Sequence, residues 1–326
     1  MRALRPVGLV LLYIGAQLVA LALAFPFLSA GLSSTSNPNN PTDPIFIIVL
    51  IVAAPLVLLW LVRFRGGASA LRIFLLLAIA GSLDVTLGAA VALALPAPQY
   101  LAPYGAAIPL DLSVPIASVL ALGAFLALLI EPQWYIVDSV GFVAGAALTA
   151  LLGISFGILP CFILLSALAV YDAIAVYRTK HMISLADVVT EMKLPILMVM
   201  PSDASFDYAS APPLRAQRAP GPDGEPQERE ALYMGLGDVV IPGTLVVSAF
   251  VWLPATATAL GVGANLLAAL GAMAGSLVGY AVLMRLVARG NPQAGLPLLN
   301  GGALLGYVLA YLVLFHNLSL GLSLSL

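Results

Sequence analysis

Asp238 sits a few residues inside an otherwise apolar span, directly after Gly235-Leu236-Gly237. A charge held in hydrocarbon is costly, so an ionisable group at that depth is a functional candidate by default. The flanking glycines remove side-chain bulk where a second group or a substrate backbone would approach. A partner is available in the preceding apolar span, at Tyr171-Asp172. Two acids that meet inside a membrane point to acid-base chemistry on a bond that water rarely reaches.

Two carboxylates sharing a site cannot both ionise cheaply, so such a pair holds one proton between them. The ionised member takes a proton from water while the protonated one polarises a carbonyl. That is the division of labour in aspartic proteases, and it needs neither a metal nor a covalent intermediate. No cofactor is expected. Rival hydrolytic chemistries lack their residues: there is no His-Glu-x-x-His, and the two histidines, His181 and His316, fall at opposite membrane faces. Gly67-Ala68-Ser69 lies in a turn without a histidine, and Cys161 has no histidine beside it. Among the other acids, Asp84 is expected to be structural. Asp138 lies as deep as the two candidates but has no flanking glycine, and is expected to be a packing or supporting group. Asp43 and Asp111 fall at the outer surface.

These acids stand out because the chain has so few charges. Of 326 residues 62% are hydrophobic and 9% charged, with mean hydropathy +1.07; a soluble domain carries roughly a quarter charged residues. The chain is therefore expected to be an all-α polytopic membrane protein. No basic stretch suggests nucleic acid, and the lone Cys161 excludes an intrachain disulfide. The first apolar stretch is long enough to be a retained anchor rather than a cleaved leader.

At about 20 apolar residues per crossing, nine transmembrane helices are expected, near 7–30, 45–62, 70–95, 109–130, 133–152, 155–177, 233–253, 257–285 and 295–318. With the N-terminus cytoplasmic and the C-terminus outside, all 13 Lys and Arg residues fall on the cytoplasmic side, as the positive-inside rule requires. The spans group as 1–154, 155–253 and 257–326. The middle group carries a loop at 178–232, of which 201–230 reads as a disordered linker. Before that linker, Leu194 to Met200 is apolar but too short to cross, and reads as a re-entrant or interfacial segment. A rise of 1.5 Å per residue places Asp172 on the order of 8 Å above the cytoplasmic end of its helix, with Asp238 and Pro297 in the same layer.

Tyr171-Asp172 and Gly235-Leu236-Gly237-Asp238 resemble the paired motifs of the presenilin and signal peptide peptidase family of GxGD intramembrane aspartyl proteases, here in the manner of a prokaryotic presenilin homologue. Asp172-Ala173-Ile174-Ala175-Val176 looks like the presenilin branch, and Gly235 to Gly243 looks like the signal peptide peptidase branch. LPILMVMP at 194–201 resembles the short apolar piece that both carry. The resemblance implies nine spans and intramembrane proteolysis, with Asp172 and Asp238 as the catalytic pair. It also implies that Tyr171, Gly235, Leu236 and Gly237 position the acids and the substrate. The family's third motif, Pro-Ala-Leu, is similar to Pro297-Leu298-Leu299, with leucine in place of alanine.

The expected partners are transmembrane helices of substrate proteins and the lipid bilayer of the cell membrane. The short outer loops suggest activity without accessory subunits, as in signal peptide peptidases; homo-oligomerisation is left open. With the N-terminus inside, the layout is presenilin-like, so substrates should have their N-terminus outside. The alternative is a transporter or channel in which the acids relay protons or bind cations. Against it, no mid-span helix break with paired symmetry is evident.

Overall fold

The computed structural model describes residues 4–322 apart from 65, 96–98, 102–107, 111, 180, 204, 213–229, 259–260 and 288–292. Helices α1 (Leu4–Ser29), α2 (Asp43–Leu61), α3 (Gly67–Ala94), α4 (Ser113–Ile130), α5 (Trp134–Ser155) and α6 (Ile158–Tyr177) come first. A short α7 (His181–Glu191) follows, then α8 (Leu236–Trp252), α9 (Ala264–Val287) and α10 (Leu296–Phe315). A small hairpin, β1 (Gln99–Leu101) with β2 (Ile108–Leu110), lies between α3 and α4. Among the described residues, eight helices are long and apolar enough to cross a membrane; α8, at 17 residues, is shorter. With α8 they fall on the nine stretches expected from hydropathy.

Their packing follows from their composition. α8 is apolar on every side, and a helix of that kind belongs in a core. Val239 to Ala249 are all buried, and α1, α5, α6, α9 and α10 pack around α8. The largest core cluster joins these helices through residues such as Phe27, Leu164, Leu168, Leu245 and Tyr307. α2 and α4 instead turn many large apolar side chains outward, among them Phe46, Trp60, Val119 and Ile130, as helices facing lipid must.

α9 and α10 touch backbone to backbone. A Cβ added at Gly275 would lie 2.1 Å from the Gly302 carbonyl, and one added at Gly279 would lie 2.1 Å from the Leu298 carbonyl. Gly271, Gly275 and Gly279 recur every fourth residue and face Leu298, Gly302 and Gly306, which recur in the same way. Small residues at this spacing are what let membrane helices approach so closely.

The elements depart from expectation at several points. The seventh span does not begin at 233, because residues 231–235 are a strand, β4 (Ala231–Gly235), and the helix starts at Leu236. β4 pairs antiparallel with β3 (Leu197–Pro201), so the 194–200 segment is not helical but supplies half of a two-stranded ribbon. The break between the fifth and sixth spans falls at Phe156-Gly157 rather than Gly153-Ile154, where the Gly157 N–H donates to the Pro38 carbonyl. The fourth and eighth spans also begin later than expected, at Ser113 and Ala264.

The expected linker at 201–230 falls mostly outside the described residues. Its described part is packed: Tyr208 is fully buried, and the Lys193 ammonium lies 4.5 Å from the Tyr208 ring centroid while donating to the Ala211 carbonyl at 2.7 Å. Burial pulls this ammonium down from its usual pKa, and the Asp207 carboxylate opposes that shift.

Candidate active site

α6 carries Asp172 near one end, and α10 begins against it. The first N–H groups of a helix have no intrahelical acceptor, and Pro297 has no N–H to place. The Leu298 and Leu299 amides both reach the Gly295 carbonyl at 3.1 Å. The Leu296 amide donates instead to Asp172 Oδ2 at 3.0 Å. Asp172 thus caps the last helix from the sixth, and it is 6% exposed.

Asp238 reaches the same spot from the other side. It lies in the first turn of α8 and is half-buried. A Cβ added to Gly295 would lie 3.1 Å from both of its carboxylate oxygens. The Gly295–Leu296 peptide is therefore the point on which both carboxylates converge. Pro242 sharpens the local geometry, because its missing N–H denies the Asp238 carbonyl its helical donor four residues on.

The remaining expected positions distribute as follows. Gly235 ends β4 and precedes α8 in extended conformation; Gly237 is exposed, with open space where a side chain would stand. The Leu236 amide donates to the Ile196 carbonyl at 2.8 Å, and its side chain packs where Gly145 leaves room. Tyr171 is half-buried beside Asp172, against the main core. Pro297 opens α10. Leu298, the departure from Pro-Ala-Leu, is half-buried, and its carbonyl faces Gly279; Leu299 is fully buried.

Several supports of the site leave little trace in the sequence. Tyr177 Oη donates to Gln293 Oε1 at 3.0 Å and accepts the Ala294 N–H at 3.2 Å, so α6 grips the segment before α10 a second time. Buried Asn300 donates to the Leu165 carbonyl at 2.9 Å, a third tie between α10 and α6. An asparagine three residues after Pro297, inside an apolar span, was the available signal. Behind Asp238, Tyr13 lies beside Gln17 and Ser276, with Tyr280 close by. All four are buried.

A family model described as signal-peptide peptidase, presenilin aspartyl protease matches residues 9–316. The chain belongs to that family. Two solved structures of a presenilin family intramembrane aspartate protease, in different crystal forms, resemble it along nearly its whole length. One is 32% identical with a TM-score of 0.64, covering 94% of this chain and 99% of the other. The second is 33% identical with a TM-score of 0.62, covering 94% and 97%. No curated protein matches significantly. This member of the presenilin and signal-peptide peptidase family is thus a multi-pass membrane enzyme, an aspartic endopeptidase that cuts within membrane helices. Nothing in the family match or in these relatives supports the transporter alternative.

Proposed function

We propose that Asp172 and Asp238 are the catalytic pair of this protease. The observation that carries the assignment is their convergence on one peptide, Gly295–Leu296, from two different helices. In the proposed cycle the pair holds one proton. The ionised carboxylate takes a proton from water as the water oxygen bonds to the scissile carbonyl carbon, and the protonated acid gives its proton to the carbonyl oxygen. The gem-diol then collapses: the C–N bond breaks as the nitrogen takes a proton from one acid, and a diol hydroxyl returns a proton to the other.

A membrane helix satisfies its own backbone internally, so a substrate must unwind before water can attack. The β3–β4 ribbon leads straight into the helix that carries Asp238, and it supports a reading in which unwound substrate pairs as an added strand there. Tyr171 and the Gly235-Leu236-Gly237 turn position the first and second acids, and Pro297-Leu298-Leu299 forms the wall at the start of α10. The one-sided distribution of basic residues supports a cytoplasmic N-terminus in the cell membrane, and the short outer loops support action without accessory subunits.

The decisive experiment uses the purified protein, a labelled transmembrane peptide and the variants Asp172→Asn and Asp238→Asn. Both variants are expected to lose cleavage while keeping the wild-type unfolding temperature. Full cleavage by either one removes that residue from the pair.

A further inference from the structure

We propose that Asp138 is a positioning residue: its bond to the Val199 amide hangs the β3–β4 ribbon on α5 and so fixes where the Asp238 helix begins. The inference rests on the catalytic assignment above and extends it to an acid that the chemistry does not use. Asp138 is 6% exposed, and its Oδ1 accepts the Val199 N–H at 2.7 Å, a short contact of the charge-assisted kind.

The strand register explains why this amide needs an outside acceptor. Val199 stands opposite Tyr233. The bonds at the two ends of the ribbon, Leu236 N–H to the Ile196 carbonyl and Ser202 N–H to the Glu230 carbonyl, place the even-numbered residues of this stretch in the bonded pairs. Antiparallel pairs alternate, so the Val199 amide points away from β4. Val199 is fully buried, so leaving its amide without an acceptor would carry the full desolvation penalty of a buried donor. On the same outer edge Pro201 has no amide to satisfy. Asp138 therefore completes an edge that faces protein rather than water.

The rest of the same α5 face continues the support. Asp138, Gly141 and Gly145 are spaced three and four residues apart, on one side of the helix. Gly141 lies against the Pro195 carbonyl, 3.2 Å from an added Cβ, and Gly145 receives Leu236, 2.6 Å from an added Cβ. One helical stripe thus holds the strand at Val199, its approach at Pro195, and the residue two before Asp238. A displacement of the ribbon is passed directly to the catalytic carboxylate.

The test compares Asp138→Asn, Asp138→Leu, Val199→Pro and the double variant Asp138→Leu/Val199→Pro in the full-length enzyme, with Asp172→Asn and Asp238→Asn alongside. Readouts are kcat and KM on a labelled transmembrane peptide, cleavage position by mass spectrometry, and unfolding temperature. Asparagine keeps an acceptor oxygen and should retain kcat within about threefold. Leucine at 138 and proline at 199 should each lower kcat by about tenfold or more, the scale of a small misplacement of reacting groups, and should broaden the cleavage positions. The double variant should be no worse than the poorer single, because both remove one bond. Asp138→Asn as inactive as Asp172→Asn overturns the proposal in favour of a chemical role, and wild-type kcat in Val199→Pro overturns it outright. If Asp138→Leu does not fold, Asp138→Asn and Val199→Pro decide the matter. Activity in Asp172→Asn or Asp238→Asn would instead sink the underlying assignment.

Discussion

Gly295 has no space for a side chain, and the reason is chemical rather than conformational. Its φ of −79° suits any residue, yet a methyl group there would press on both oxygens of Asp238 at 3.1 Å. Such a contact forces the carboxylate to shift by a few tenths of an ångström. Gly295→Ala is therefore expected to lower kcat about tenfold, equivalent to ~1.4 kcal/mol of barrier, with KM and unfolding temperature little changed. Steady-state kinetics beside a thermal melt check this, and an unaltered kcat would show that Asp238 has room to spare. At this scale the acids were legible because charges are so rare in the chain that two at matching depth stand out. Gly295 was not legible: it is one of 29 glycines, and its neighbour in space is 57 residues away. Nor was the bond made by Asp138, because its acceptor role depends on a strand edge that no periodicity revealed.

Among the elements, the ribbon decides the shape of the site. α8 has 17 residues, about 26 Å at 1.5 Å per residue, short of a hydrocarbon core of roughly 30 Å. Its missing turn is replaced by Ala231–Gly235 in extended form. Non-helical backbone at membrane depth is tolerated where it is buried in protein or lines a wet cavity, and both conditions suit an active site. Removing residues 194–200 should abolish cleavage while the remaining helices still unfold cooperatively; substrate turnover by that variant would end the ribbon's part in catalysis. The helices themselves were legible from hydropathy to within a few residues at most ends. β4 was read as the start of a helix because Ala231-Leu232-Tyr233-Met234 is as apolar as the span it precedes, and its partner strand lies across a loop of some 30 residues. Pairing over that distance leaves no local pattern.

Across the whole molecule, nine apolar spans and one-sided basic residues give a chain whose orientation is expected from charge alone. A panel of single-span substrates inserted in both directions should show cleavage of those with their N-terminus outside; preference for the reverse set would invert the assigned topology. Composition made the class legible, since 9% charged residues leave little else for a 326-residue chain to be. The glycines of the last spans signalled close packing, but not that α9 and α10 would meet along Gly275 and Gly302, which is a property of two surfaces and not of either sequence.

The clasp between Asp172 and the Leu296 amide joins readiness to closure. Should α6 and α10 part to admit a helix from the bilayer, the last helix loses its end-stop and the acid loses its fixed bearing in the same movement. Under the catalytic assignment proposed above, admitting a substrate between α6 and α10 and misaligning the acid are one event, reversed only when the two helices close again.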